Sequence, residues 1–330
     1  MTDADATADA VEPLSRRAAS ADPPSWMARR GLGWSPAGAA NLLTGFGGFS
    51  AVQELRYGDG PRGTLDVYAP PRAAGAAVVV FFYGGSWQSG AKEIYRFVAA
   101  PLARRGHVVV VPDYRVHPQA RFPEFLEDGA AAVAWAAAQA RRFGADPRRL
   151  VLMGHSAGAH IAAMLATERR WLAAVGLRPE HDLTGLVGLA GPYDFGPLRD
   201  PVLVEIFGGP HRPETYPINH VRGGEPPALL LTGARDRTVH PGNTARFAAR
   251  LRAAGGDVRA TVYPRPGHVG LIGAFVRPFR GLAPVLADVD AFVRSRPPAD
   301  KRGSTSGLAT DPAATDPAAI ASSATANRRA

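Results

Sequence analysis

Residues 150–158 read Leu150-Val151-Leu152-Met153-Gly154-His155-Ser156-Ala157-Gly158. The four leading apolar residues have the length and continuity of a strand buried on both faces. They run into Gly-x-Ser-x-Gly, and helix-favouring residues follow at once in His160-Ile161-Ala162-Ala163-Met164-Leu165-Ala166. A chain that passes from strand to helix across a single serine needs small neighbours, because the serine backbone is forced into a strained conformation. The stretch therefore predicts a strand, a sharp turn and a helix, with the Ser156 hydroxyl exposed at the turn. Taken alone, the same letters describe a tight turn in any doubly wound sheet.

On both sides of this stretch, strands and helices alternate. Val52–Tyr57 and Thr64–Tyr68 alternate in polarity around Gly58-Asp59-Gly60-Pro61, which predicts a hairpin. Strands are expected at Ala76–Tyr83, His107–Val111, Leu186–Leu189, Ala228–Leu231 and Val258–Tyr263. Helices are expected near Glu93–Arg105, Pro123–Phe143, Asn243–Ala254 and Pro284–Arg294. Near-continuous apolar strands separated by helices describe an α/β fold, a mostly parallel sheet covered on both faces with an antiparallel hairpin at one edge. Residues 194–227 carry Gly-Gly-Pro, several prolines and one short helix-like piece, Pro201–Phe207, and read as a small lid insertion.

The ends read differently. Residues 1–24 are polar and without periodicity, as in a disordered leader. Residues 25–50 mix aromatics, leucines and glycines and suit a short helix or irregular segment that could act as a lid. The catalytic domain is expected over residues 51–296. Residues 297–330, with Ala-Thr-Asp-Pro-Ala repeated at 309–313 and 314–318, read as a low-complexity tail.

Composition narrows the function. The 330-residue chain is 46% hydrophobic, which suffices for one large core, and its apolar runs have strand length, too short for a membrane span. Cysteine is absent, so there is no disulfide framework, thiol nucleophile or cysteine metal site. The acidic start, Met1–Ala10, lacks the basic and apolar regions of a secretory signal. Together these favour the cytoplasm. The net charge of +9 comes almost wholly from arginine, with Lys92 and Lys301 the two lysines, and the arginines are dispersed in pairs at element ends. Nucleic-acid binding would need them gathered on one face, so no nucleic-acid partner is expected.

A serine hydroxyl is a poor nucleophile at neutral pH, so a base must take its proton and an acid must orient that base. In sheets of this kind such groups collect at the carboxyl ends of strands, in the chain order serine, acid, histidine. Asp236 follows the strand Ala228–Leu231, and His268 follows the strand Val258–Tyr263. The rival acid is Asp194, past the preceding strand. The other eight histidines fall inside the turn, in helices, at strand starts or in loops out of order. Tyr83-Gly84-Gly85-Ser86-Trp87 lies after an early strand, where backbone N–H groups would stabilise a developing oxyanion together with Ala157. A phosphate-cradling loop would need a pattern that is not present there.

With these parts in order the chain resembles the α/β-hydrolase superfamily over about residues 50–296. The nearest branch is the esterases and lipases that include hormone-sensitive-lipase-like carboxylesterases, arylformamidases and isoprenylcysteine methylesterases. The resemblance rests on Tyr83-Gly84-Gly85-Ser86-Trp87, Asp113-Tyr114-Arg115, Phe122-Pro123 with Glu127-Asp128, Gly144-Ala145-Asp146-Pro147 and Gly154-His155-Ser156-Ala157-Gly158-Ala159-His160. It implies a Ser156–His268–Asp236 triad and an oxyanion hole from the amides of Gly85, Ser86 and Ala157. No metal and no cofactor are implied. Asp113 and Asp128 match positions that read as structural. Many relatives carry His-Gly-Gly where this chain has Tyr83-Gly84-Gly85, so a phenol would take over the bracing of the loop.

The activity expected from this resemblance is a serine carboxylesterase acting on a small or medium ester. An amidase such as an aryl formamidase is the alternative, and a non-catalytic ligand-binding protein on the same fold is a lesser one. Tyr83, Trp87 and His155 are candidate pocket residues, with Trp26, Leu42 and Phe207 as further wall candidates.

Overall fold

In the computed structural model, residues 36–45 and 47–300 are described. Eight strands form one sheet in the order β1-β2-β4-β3-β5-β6-β7-β8. They are β1 (Ser50–Arg56), β2 (Thr64–Ala69), β3 (Ala76–Phe82), β4 (Val108–Pro112), β5 (Ala145–His155), β6 (Leu183–Leu189), β7 (Ala228–Gly233) and β8 (Val258–Tyr263). The longer helices are α1 (Pro36–Leu43), α2 (Arg96–Ala103), α3 (Glu124–Gln139) and α4 (Ala157–Thr167). Short helices α5 (Arg169–Ala173), α6 (Pro179–Asp182) and α7 (Pro201–Phe207) follow, then α8 (Gly242–Ala253), α9 (His268–Gly273) and α10 (Val285–Arg294).

Only the hairpin edge is antiparallel. β1 pairs antiparallel with β2 and β2 antiparallel with β4, and every later pairing is parallel. The apolar runs read from the sequence are β3, β4, β6 and β7, each buried along its whole length. β5 is longer than its apolar core, because Ala145 also pairs with Ala76 across an irregular step. The helix expected over Pro123–Phe143 stops at Gln139 and tightens into a 3-10 turn over Ala140–Phe143, closed by Gly144 at φ 77°. A left-handed residue at that point is what glycine permits at little cost.

The crossovers position the site. From β3 the chain moves one way to β4, and from β4 it moves back across β3 to β5. Right-handed crossovers in opposite directions put α2 and α3 on opposite faces of the sheet. A crevice then opens above the carboxyl ends of β3 and β5, the topological switch point. The register keeps these ends level: Phe82 pairs with Gly154, Gly154 with Gly188, Leu189 with Leu231 and Gly233 with Tyr263. The loops after β3, β5, β7 and β8 therefore all emerge on one rim.

The regions outside the sheet are less uniform. The expected leader (1–24), Trp26 and the tail beyond residue 300 lie outside the described residues. Within 25–50, α1 is tied to α2: Asn41 Nδ2 donates to the Glu93 carbonyl at 2.8 Å, and Asn41 Oδ1 accepts the Phe97 amide at 2.9 Å. Leu42 is exposed there. The insertion 194–227 contains α7 and two 3-10 turns, Pro213–Thr215 and Pro217–His220. No helix among the described residues is long and apolar enough to cross a membrane.

At the antiparallel edge sits a buried charge cluster around Lys92, one of two lysines in an arginine-rich chain. Its Nζ lies 2.7 Å from Glu54, 3.5 Å from Glu93, 3.7 Å from Asp66 and 3.8 Å from Asp113. A β-bulge between Val52 and Leu55 aims Glu54 at the ammonium, and the Glu54 amide is satisfied by Asp66 Oδ1 at 3.1 Å. A compact ammonium suits several carboxylates on different sides, whereas the planar guanidinium fork of arginine suits one or two in its own plane. Asp66 and Asp113 are both buried, so removal of the cation leaves carboxylates without solvent. Lys92→Ala is expected to lower the unfolding free energy by about 3–5 kcal/mol, measured by urea denaturation at neutral pH.

Candidate active site

Ser156 is held in the conformation its neighbours were chosen to allow. Its φ and ψ are 54° and −122°, outside the helical and extended regions. A Cβ added at Gly154 would stand 2.1 Å from the Gly158 carbonyl oxygen, and one at Gly158 would stand 2.1 Å from the Phe82 carbonyl oxygen. Neither position can carry a side chain without moving backbone. The Ser156 amide continues the ladder by donating to the Leu189 carbonyl at 2.9 Å, and its carbonyl accepts from Ala159 and His160 to start α4. The strain is thus fixed from both sides by ordinary secondary structure.

The three sequence candidates meet. His268 Nε2 is 2.9 Å from Ser156 Oγ, and His268 Nδ1 is 2.8 Å from Asp236 Oδ2. Asp236 is buried and its other oxygen, Oδ1, accepts the amides of Thr238 and Val239, each at 2.9 Å. Those two bonds fix the carboxylate, and the carboxylate in turn fixes which imidazole nitrogen carries the proton. Asp194, the rival acid, is engaged elsewhere: Arg246 Nε donates to its carboxylate and Arg246 Nη2 to its carbonyl at 2.9 Å.

The loop after β3 is strongly bent. Gly85, Ser86 and Trp87 have φ of 141°, 54° and 57°. The Gly85 carbonyl accepts from the amides of Gln88 and Ser89 at 3.0 and 3.1 Å. A Cβ at Gly84 would lie 3.0 Å from Ser156 Cβ, so the loop passes directly against the serine. Among the described residues, the amides of Gly85, Ser86 and Ala157 donate to no protein acceptor. Ala157 is the first residue of α4, where a free amide also stands at the positive end of the helix.

Tyr83, expected in the pocket wall, is completely buried beneath this loop. Its hydroxyl donates to Asp113 Oδ1 at 2.6 Å and accepts from Arg62 Nη2 at 2.8 Å. The phenol is committed to that network and cannot face a substrate. The Asp113-Tyr114-Arg115 run divides its work in the same region. Asp113 receives Tyr83, Tyr114 Oη donates to the Tyr83 carbonyl at 2.8 Å, and Arg115 pairs with Asp128. Trp87 is buried in a cluster with Phe125, His160, Phe195 and Phe207, the rings of Phe207 and His160 meeting it edge-on at 4.8 and 5.1 Å. This cluster joins the loop, α4 and the 194–227 insertion.

The remaining polar groups escaped the sequence reading. His117 binds the Trp87 carbonyl through its amide at 2.8 Å, and Tyr95 Oη donates to the Gly84 carbonyl at 3.2 Å. His117 follows a strand exit but stands out of the chain order serine, acid, histidine, and Tyr95 lies within a 3-10 turn. For Lys92 a signal existed in its rarity.

His155 lies beside His268, with ring centroids 4.8 Å apart and Nε2 at 3.3 Å from the His268 carbonyl. Burial, and then the proximity of His268, push its pKa down to about 3. His160, buried and hydrogen-bonded through Nε2 to the Thr215 carbonyl at 2.8 Å, is pushed down to about 4 by burial. Both rings are therefore neutral beside the site, and His268 is the imidazole in hydrogen-bond contact with Ser156. No group of three or more His, Cys, Asp or Glu that could hold a metal ion occurs among the described residues.

Sheet order, turn and loop together define an α/β-hydrolase of the esterase branch. A thermophilic esterase of Thermogutta terrifontis superposes with a TM-score of 0.60 at 25% identity, covering 74% of this chain and 91% of that one. It has also been solved with propionate and with butyrate bound. The sequence model of the BD-FAE family matches residues 65–251, and the chain belongs to that family. Esterase LipC of Mycobacterium tuberculosis is 31% identical over 240 residues, 66% of this chain and 59% of that protein. The isoprenylcysteine alpha-carbonyl methylesterase of Arabidopsis thaliana is 30% identical over 244 residues, 66% of this chain and 56% of that protein. The chain thus spans under two thirds of the length of these curated relatives.

A neutral buried histidine makes folding depend on pH with a definite sign. An unfolded His160 takes up a proton near pH 6.5 while the folded one resists until about 4, so stability present above 6.5 is lost as pH falls through that window. Asp66, whose pKa burial raises to about 6, acts in the opposite sense, so the comparison must be between variants. Between pH 6.5 and 4.5 the wild type should lose up to about 1.4 kcal/mol per pH unit more than His160→Gln, read from urea denaturation at each pH.

Proposed function

We propose that this chain is a serine carboxylesterase that hydrolyses small or medium carboxylic esters through an acyl-enzyme. The hydrogen-bonded line from Ser156 Oγ through His268 to Asp236 carries this reading. Ser156 Oγ attacks the ester carbonyl carbon while His268 Nε2 takes the hydroxyl proton. Asp236 holds the imidazole in the tautomer that can accept it and stabilises the imidazolium. The carbonyl oxygen becomes an oxyanion facing the amides of Gly85, Ser86 and Ala157, which need no reorganisation to receive it. Collapse of the intermediate breaks the carbon–alcohol bond, and Nε2 returns its proton to the leaving alkoxide. Water repeats the sequence on the acyl-enzyme: Nε2 takes its proton, the hydroxyl oxygen bonds to the acyl carbon, and the carboxylic acid leaves as Ser156 recovers its proton.

Several observations support an ester of modest size. Trp87 of the donor loop packs with the insertion residues Phe195 and Phe207, and all three rings contact His160, four residues beyond Ser156. The bound propionate and butyrate of the Thermogutta terrifontis esterase give a scale for the acyl group in a related site.

Hydrolysis of p-nitrophenyl acetate and butyrate tests the reading directly. Ser156→Ala should reduce kcat by at least about 10³-fold and abolish labelling by a fluorophosphonate probe, and Asp236→Asn should reduce kcat by roughly 10²–10⁴-fold. Equal turnover by wild type and Ser156→Ala would overturn it.

A further inference from the structure

The donor loop contains a device that neither the triad nor the resemblance accounts for. A trans peptide is planar, with its carbonyl oxygen and N–H directed oppositely. Whatever grips the carbonyl of residue i therefore aims the N–H of residue i+1. Tyr95 Oη donates to the Gly84 carbonyl at 3.2 Å, and the N–H on the far side of that plane belongs to Gly85. The plane lies against the nucleophile, since a Cβ at Gly84 would approach Ser156 Cβ to 3.0 Å. Glycine at 84 and 85 leaves this plane without side chains to lock it, so the lock must come from outside the loop.

Tyr95 is itself held for this task. Its ring stacks on Tyr83 at 5.2 Å with planes 8° apart, and Tyr83 stacks in turn on Tyr114 at 4.7 Å. Tyr114 grips the preceding carbonyl, that of Tyr83, so two successive peptide planes are held by two phenols from opposite sides of one ring stack. Gly90 turns the loop back over the stack, where a Cβ would meet the Tyr83 ring at 2.6 Å. Burial lifts the Tyr95 pKa to about 12, so the phenol keeps its proton and stays a donor at any working pH.

We infer that Tyr95 is a positioning residue of the oxyanion hole, its hydroxyl fixing the Gly84–Gly85 peptide so that the Gly85 N–H faces the developing charge at Ser156. The inference rests on the proposed serine mechanism. It differs from bracing by Tyr83, whose hydroxyl reaches Asp113 and not the donor peptide.

Tyr95→Phe removes the hydrogen bond and keeps the ring stack. Loss of a whole donor costs about 10²–10³ in rate, so a donor left in place but unaimed should cost about tenfold. We expect kcat on p-nitrophenyl butyrate to fall by about tenfold with KM nearly unchanged. The affinity for a trifluoromethyl ketone should fall by the same factor. That probe adds to Ser156 Oγ, passes the serine proton to His268 and leaves an oxyanion in the hole. Tyr263→Phe, which removes a phenol bond to Asp288 at the far edge strand, is the control for general loosening and should leave both values unchanged. The inference is overturned if Tyr95→Phe matches Tyr263→Phe in kcat, or if kcat falls while ketone affinity does not. Wild type and Ser156→Ala run in parallel separate the two failures: turnover independent of Ser156 condemns the mechanism, whereas Ser156-dependent turnover unaffected by Tyr95→Phe condemns this inference alone.

Discussion

The backbone of Ser156 is the constraint on which the other parts depend. A non-glycine residue at φ 54°, ψ −122° stores roughly 1–3 kcal/mol and persists only where its surroundings leave no alternative. Here the surroundings are β5 on one side and α4 on the other, drawn so close that Gly154 meets Gly158 and Gly158 meets Phe82. The consequence is geometric. A serine at this turn projects its hydroxyl above the sheet while the first amide of α4 stands beside it, so a hydroxyl and a free helix-start amide come from adjacent residues. The sheet bears the strain, since the flanking strands β3 and β6 are buried and pair with β5 in unbroken register from Val151 up to Gly154 and His155.

Around that point the fold supplies rigidity by different means on each side. Asp236 sits in a short turn after β7 and His268 opens α9 after β8, and Asp236 is anchored by two backbone amides, so its orientation owes little to neighbouring side chains. The donor loop after β3 folds on two amide bonds to the Gly85 carbonyl and has four residues with positive φ, Gly85, Ser86, Trp87 and Gly90. It is held from outside by phenols, by the His117 amide and, through Asp113, by the charged group around Lys92. A loop of glycines can approach a substrate closely, but it has no order of its own. The polar cluster at the antiparallel edge and the chemistry at the parallel centre are therefore mechanically connected, through Lys92 N to Asp113 to Tyr83.

The insertion has a comparable double attachment. His160, one turn into α4, bonds the Thr215 carbonyl, and Phe122 donates to the Ile206 carbonyl, while Phe207 packs on Trp87. The helix that starts at Ser156, the loop after β3 and the insertion share one aromatic cluster. Neutral His160 suits that position, because a charged ring there would stand among Trp87, Phe125 and Phe207 without a counter-ion.

Local chemistry made much of this legible in the sequence. Gly154-His155-Ser156-Ala157-Gly158 announces its turn because only small residues fit between a strand and a helix packed on it. That Asp236 and His268 stand near Ser156 was legible because strand ends can be read from apolar runs, and the loops after parallel strands emerge on one rim. The mostly parallel sheet followed from the same runs. Side-chain direction was not legible: Tyr83 looked like a pocket residue by its place in the loop, yet its phenol turns under the sheet edge to Asp113. Nor could the sequence choose by itself between Asp194 and Asp236, which both follow strands. Arg246, fifty-two residues from Asp194, captures that carboxylate and leaves Asp236 to His268. Tyr95 and Lys92 acquire their roles only through contacts made across the sheet edge. Periodicity and turn chemistry are properties of neighbouring residues and so are written in the chain, whereas a hydrogen bond between distant side chains exists only after the sheet has brought them together.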